Sequence, residues 1–174
     1  MACIVSAMVP DEPDWLPELV LLEDYGGDWH TYVEAIYALF RAEYVEEAVQ
    51  FQGLRVTVKR HPEISGKCAT FWHLVSEGEI EAERLPDLRR CERILWTRSI
   101  IENSSGTYVK VWENTRRGGE RRICLWLEDT EYLVVLACRN GYYLLWTAYC
   151  VTQTRQKKRL EREYEAWNKA DAAP

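Results

Sequence analysis

The sequence predicts an α+β domain, an antiparallel four-stranded meander with N-terminal helices, a small hairpin and a C-terminal helix. Three observations carry this prediction. Arg121–Tyr149 reads as consecutive apolar strands separated by turn residues. Trp29, Val33, Ile36, Phe40 and Tyr44 recur at helical spacing, as do Leu160, Tyr164 and Trp167. The chain has 174 residues, enough for one domain with a real core.

Residues 1–28 carry Pro10, Pro13, Pro17, Gly26 and Gly27 among many carboxylates. They read as an acidic, largely irregular arm with a helical turn near Leu16–Leu22. Residues 29–169 then form the single domain. Asp28 is placed to cap a helix from Trp29 to about Val49. Phe51–Lys59 reads as a hairpin turning at Gly53, with Leu54, Val56 and Val58 alternating against Arg55, Thr57 and Lys59. Ala69–Ser76 is apolar and aromatic, and strand and short helix remain open for it. Pro86 is expected to start a helix running to about Glu102.

The meander is expected as Tyr108–Asn114, Arg122–Glu128, Tyr132–Cys138 and Tyr142–Cys150. Asn140-Gly141 between apolar runs is a strong two-residue hairpin signal. It pairs Arg139 with Tyr142 and, counted onward, Val134 with Thr147. Strict alternation would put Tyr143, Leu145, Thr147 and Tyr149 on one face and Trp146 on the other. Gln153–Lys169 is the last helix, and residues 170–174 read as a frayed tail.

The formal net charge is −6. Residues 1–50 hold eleven Asp/Glu against one Lys/Arg, a balance of −10, so residues 51–174 carry +4. The acidic first segment hides a basic remainder. It reads either as a solubilising surface or as a screen over a basic cleft. No apolar run approaches a membrane span, and Met1–Val5 has no basic leader, so a cytoplasmic protein is expected. The six cysteines form no Cys-x-x-Cys pair, and a disulfide framework is not expected. The spacing of His61, Cys68, His73 and Cys91 fits no metal-ligand pattern, and no cofactor is called for. Ser65-Gly66-Lys67 is not a phosphate loop, because His61 stands where that loop needs glycine.

His73, inside Phe71-Trp72-His73-Leu74-Val75, is either a hydrogen-bonded core residue or a functional imidazole in a dry wall. Arginines cluster at 84, 89, 90, 93 and 98, and again at 116, 117, 121 and 122. They read as solvated faces or as phosphate-holding forks. Trp72, Trp96, Trp112 and Tyr149 read as core or as stacking faces for unpaired bases. Together these parts suit RNA cleavage by the substrate's own 2′-hydroxyl. Such a reaction needs a proton carrier, cations for the phosphorane and an orienting hydroxyl.

Three stretches carry a family resemblance: Phe71-Trp72-His73-Leu74-Val75-Ser76-Glu77-Gly78, Arg90-Cys91-Glu92-Arg93-Ile94-Leu95-Trp96, and Leu145-Trp146-Thr147-Ala148-Tyr149. Over about residues 50–168 the chain resembles the phage- and prophage-associated nucleases of the barnase, EndoU, colicin and RelE-like superfamily. The resemblance implies a metal-independent endoribonuclease, linked to a phage or mobile element as a toxin. His73, Thr147 and Tyr149 match its pattern and would be catalytic; Arg93, Arg98 and Arg121 each fit its arginine, with Arg93 taken as catalytic. Lys59, Arg60, His61, Arg98, Arg121 and Trp96 would bind substrate. RNA would be the partner, with an antitoxin or immunity protein as a second one. The alternative is a non-catalytic phage or prophage module that binds RNA or protein on the same fold. The sequence leaves the oligomeric state open.

Overall fold

The computed structural model describes residues 12–78 and 83–171. The first eleven residues of the acidic arm and residues 172–174 of the expected tail lie outside them.

Helix α1 spans Trp29–Arg41, and the Asp28 carboxylate accepts the Thr31 N–H at 2.8 Å. Tyr32, Val33, Ile36 and Phe40 form its buried stripe. It continues as a π-turn over Ala42–Glu46 that buries Tyr44. The helix stops short of Val49 because Glu47 turns extended and delivers Val49 and Phe51 to strand β1 (Val49–Phe51). Gln52 (φ 49°) and Gly53 (φ 79°) make the turn into β2 (Leu54–Thr57). Two consecutive positive φ values suit the twist of a two-residue hairpin.

Ala69–Val75 is helix α2, with Phe71, Leu74 and Val75 inward. The expected long helix from Pro86 is two short ones. Pro86 belongs to a two-residue strand β4 (Leu85–Pro86) paired with β3 (Ser76–Glu77). Asp87 caps α3 (Leu88–Glu92), and Arg93 leaves helical geometry at φ −100°, ψ 21°. Helix α4 (Trp96–Glu102) then starts anew with Trp96 turned into the core.

The four expected meander strands are present as β5 (Val109–Thr115), β6 (Arg121–Leu127), β7 (Tyr132–Arg139) and β8 (Tyr142–Cys150). The sheet is not a four-stranded antiparallel meander, however. It is a six-stranded mixed sheet in the order β1-β2-β8-β7-β6-β5. Strand β2 pairs with β8 in parallel through Val56↔Tyr143 and Thr57↔Leu144. The free edge of β8 offers unpaired backbone groups, and the hairpin satisfies part of that edge. Sequence alternation shows a strand but not which edge it joins.

Helices α1–α4 cover one face of the sheet, where Leu125, Tyr132, Val134, Leu136 and Leu145 meet Ile36, Phe40, Phe71 and Ile100. The last helix, α5 (Thr154–Asp171), accompanies a second core of Trp112, Cys124, Trp126, Leu133, Val135, Val151 and Leu160 on the other face. Both faces of the sheet are therefore packed, not one.

The register of β8 also departs from strict alternation. Arg139 faces Tyr142 as expected, but Leu136 faces Leu145 while Val135 faces Thr147. Trp146 is thus an inserted bulge residue, and Val134 faces Ala148 rather than Thr147. An extra residue breaks the two-residue period. Tyr143 and Leu145 point to the α1–α4 core, and beyond the bulge Ala148 and Cys150 do so. Trp146 and Tyr149 instead pack on the α5 side.

The acidic arm is docked rather than loose over its described length. Val20 N–H donates to the Glu92 carbonyl at 2.9 Å, and the Tyr32 hydroxyl donates to the Val20 carbonyl at 2.8 Å. Trp15 meets the Tyr108 ring edge-on at 6.5 Å. The helical turn expected near Leu16–Leu22 does not form there; a 3-10 turn follows at Leu22–Tyr25.

At the π-turn, one Glu43 carboxylate oxygen is buried with no hydrogen-bond partner. Burial lifts the Glu43 pKa to about 7, against the pull of Arg98 and with help from Glu102 and Glu47. The folded pKa lies above the unfolded 4.5, so the folded state binds the proton more tightly. Stability from this group is complete below pH 4.5 and is lost as pH rises through about 7. Glu43→Gln should therefore raise stability at pH 8 by on the order of 1 kcal/mol, after discounting for partial exposure. Thermal melts from pH 4 to 8 check this: the gain should vanish at the acid end, and a pH-independent difference contradicts the assignment.

Candidate functional site

The short helix α2 buries Phe71 and Leu74, which turns Trp72 and His73 outward. Trp72 is fixed by its indole N–H, donated to the Ile64 carbonyl at 2.9 Å. His73 meets the bulge residue of β8: the imidazole and Trp146 rings lie 6.4 Å apart at 32°. The two line a pocket of about 130 Å³ with Lys59, Thr70, Leu144 and Leu145. Lys59 is held there by its backbone, which donates to Thr70 Oγ1 at 2.8 Å and accepts from the Thr70 N–H at 3.0 Å.

Two arginines hold the end of α2. Arg84 donates to the carbonyls of Gly78 (2.8 Å), Ser76 (2.6 Å) and His73 (3.4 Å). Arg90 donates to Ser76 O at 3.0 Å and reaches Ala148 O on β8 at 3.4 Å. Helix ends leave carbonyls without partners and favour cations. These guanidiniums meet both needs and join α2 to β8 where the bulge has moved the strand.

The same face of β8 is flanked by cations over aromatic rings. The Arg122 guanidinium lies 4.8 Å from the Trp146 ring centre, and that of Arg90 lies 5.4 Å from the Tyr149 ring centre. Arg122 is oriented by Glu120, whose carboxylate accepts its Nε at 2.8 Å and also accepts Arg139 at 3.2 Å. Burial pushes the Glu120 pKa up, but the bonds and charges of Arg122 and Arg139 outweigh it and hold the carboxyl below the usual range. The Tyr149 hydroxyl accepts from Gln156 Nε2 at 3.2 Å. Burial raises the Tyr149 pKa against the pull of Arg159, so the phenol stays protonated. Thr147, between the two rings in sequence, sits half-buried opposite Val135 of the α5-side core.

The sequence-expected residues divide into two groups. Lys59 and His73 line the pocket at the bulge residue Trp146, Thr147 and Tyr149 follow it along β8, and Arg60 and His61 follow Lys59 as an exposed loop. Arg93 lies over Trp96 at 4.8 Å and donates to the Arg89 carbonyl at 3.0 Å. Arg98 is tied between Glu47 (2.5 Å) and Glu102 (2.8 Å). Arg121 forms a two-pronged pair with Glu113, both contacts 2.7 Å. Trp96 is buried, its N–H donated to the Pro17 carbonyl at 2.8 Å, and offers no open stacking face.

Arg90 and Arg122 instead face the bulge; the sequence places both in its arginine clusters without assigning either to the site. Strand parity could have found Arg122, which shares a face with Cys124 and Trp126 while Arg121 shares one with Ile123 and Leu125. Nothing local marks Arg90, whose role depends on the break after α3.

No protein-family model, no curated protein and no solved structure matches this chain.

The His73–Trp146 pair has a direct spectroscopic consequence. Replacing Trp146 with Leu should displace the imidazole proton resonances of His73 through the lost ring current. Those of His30 and His61 should stay in place. A two-dimensional NMR comparison of the two folded proteins checks this, and an unmoved His73 signal contradicts the contact.

Proposed function

We propose that this protein is a metal-independent endoribonuclease whose reacting site lies at the β8 bulge. The supporting observation is the convergence of one imidazole and two guanidiniums on the rings that flank Thr147. Each part has a role in transesterification. His73 accepts the 2′-hydroxyl proton as the 2′-oxygen forms its bond to phosphorus. Arg90 and Arg122 offset the charge that builds on the non-bridging oxygens. Thr147 orients the phosphate by hydrogen bonding. Tyr149, kept protonated, donates toward the 5′-oxygen as the P–O5′ bond breaks.

Lys59 in the adjoining pocket suits a neighbouring phosphate, and the Trp146 ring beside it suits a base. The sequence resemblance to phage-linked nucleases points the same way and extends the reading to a toxin, with RNA as its target. The assignment differs from the sequence expectation in its cations: Arg90 and Arg122 take the place of Arg93.

The test is cleavage of a fluorescent RNA of about 20 nucleotides in EDTA, a length beyond any plausible site. Wild-type protein should cut it. His73→Ala and Thr147→Ala should each slow cutting by roughly 100-fold or more, and Arg122→Gln should do so by a similar factor. Arg121→Gln, outside the site, should stay within about twofold. Wild-type protein that cuts no RNA with or without divalent metal contradicts the proposal, and so does a fully active His73→Ala.

A further inference from the structure

We propose that the first two turns of α5 form a track for the single-stranded RNA that flanks the cleavage point. This rests on the ribonuclease reading and names how the substrate beyond the reacting phosphate is held. Gln153, Arg155, Gln156, Arg159 and Arg162 line a depression of about 540 Å³. Three of its five lining residues are arginines, and it begins at the site: Gln156 lines it and also donates to the Tyr149 hydroxyl at 3.2 Å.

The geometry fits a strand. Arg155, Arg159 and Arg162 fall at i, i+4 and i+7, one stripe of the helix, spanning about 10 Å of its axis. All three are exposed. Thr154–Arg162 holds five basic residues against one acidic, a balance of +4, so the stretch is cationic in a chain of net −6. The positive end of the helix dipole lies at the same turns.

Other residues of α5 are used for anchoring. Leu160 is buried in the core, and Glu163 accepts Asn114 Nδ2 at 2.9 Å. Lys157 pairs with Glu131 at the β6–β7 turn. The helix thus starts beside Tyr149 of β8 and packs on β5, and the arginine stripe contributes little to holding it. Arg159 alone makes an ion pair from this stripe, with Glu163 at 3.6 Å. Guanidinium forks and amide groups suit phosphate oxygens and sugar hydroxyls.

The test uses the full chain and a non-cleavable 2′-O-methyl RNA of about 12 nucleotides, within the range one such surface covers. The triple variant R155Q/R159Q/R162Q should bind it at least about tenfold more weakly. The slope of log affinity against log salt should fall by about 2. Arg41→Gln, exposed on α1, should bind as wild type does, and unchanged melting curves certify the fold.

Cleavage of a trinucleotide by the same variant reads the reaction separately. Normal trinucleotide cleavage with weakened binding of the longer RNA is the expected pair of results. Equal binding by variant and wild type overturns the track, whatever the cleavage result. If poly-L-glutamate of matched charge binds wild type as tightly and loses as much in the variant, the surface takes acidic chains generally, and the RNA assignment is overturned. Weakened RNA binding by the variant, with no trinucleotide cleavage by wild type or variant, keeps the RNA-binding surface and removes the ribonuclease reading.

Discussion

The single extra residue in β8 sets the arrangement of everything around it. Before Trp146 the strand shows Tyr143 and Leu145 to the helices of the first layer and pairs on its outer edge with β2. After Trp146 the inward positions pass to Ala148 and Cys150. The parallel pairing with β2 has ended by then, and the edge is met by α2 and Arg90 instead of a strand. Bulges raise local twist and re-aim side chains, and they recur beside functional sites. Here the bulge brings Trp146 and Thr147 to the side of the sheet that Tyr149 occupies, where an unbroken strand would have kept Trp146 apart from the other two.

This one irregularity also explains which part of the site could be read in advance. The Asn140-Gly141 turn fixes the first pairs of the β7–β8 hairpin, and they stand as expected. The side-chain pattern of Leu144 to Tyr149 is apolar on both sides, because both faces are packed, so periodicity carries no signal for a slip. Thr147 and Tyr149 share a face in either register, which is why their pairing was legible. Their relation to Trp146 was not. The same limit applies to β2: its alternation is clear, yet parallel pairing with a strand 86 residues later (Thr57 to Tyr143) leaves no local mark. The helix expected from Pro86 to Glu102 looked continuous because Leu88, Cys91 and Leu95 keep helical spacing. The break at Arg93 lets Trp96 enter the core, a tertiary demand that local pattern does not announce.

Charge shows a similar division. Most arginines of the basic remainder are held by carboxylates or carbonyls: Arg98 by Glu47 and Glu102, Arg121 by Glu113, Arg84 by the end of α2. An arginine count therefore overstates the cationic surface. Arg90 and Arg122 are held as well, by Asp87 and two carbonyls and by Glu120, but they also lie over the Tyr149 and Trp146 rings at the bulge. The α5 stripe adds charge that stays exposed. Of the acidic arm, the described part meets α1, α3 and α4 through Val20 and Pro17. A chain with an acidic total can in this way present a basic face.

The central claim is that the groups around Trp146 carry out attack by a ribose 2′-hydroxyl. The most direct measurement is mass spectrometry of the ends made when the purified protein acts on RNA in EDTA, with a second RNA carrying one 2′-deoxyribose at the mapped cut. Attack by the 2′-hydroxyl leaves 2′,3′-cyclic phosphate and 5′-hydroxyl ends, with no cutting at the deoxy position. Fragments ending in 3′-hydroxyl and 5′-phosphate, or equal cutting of the deoxy substrate, would contradict it.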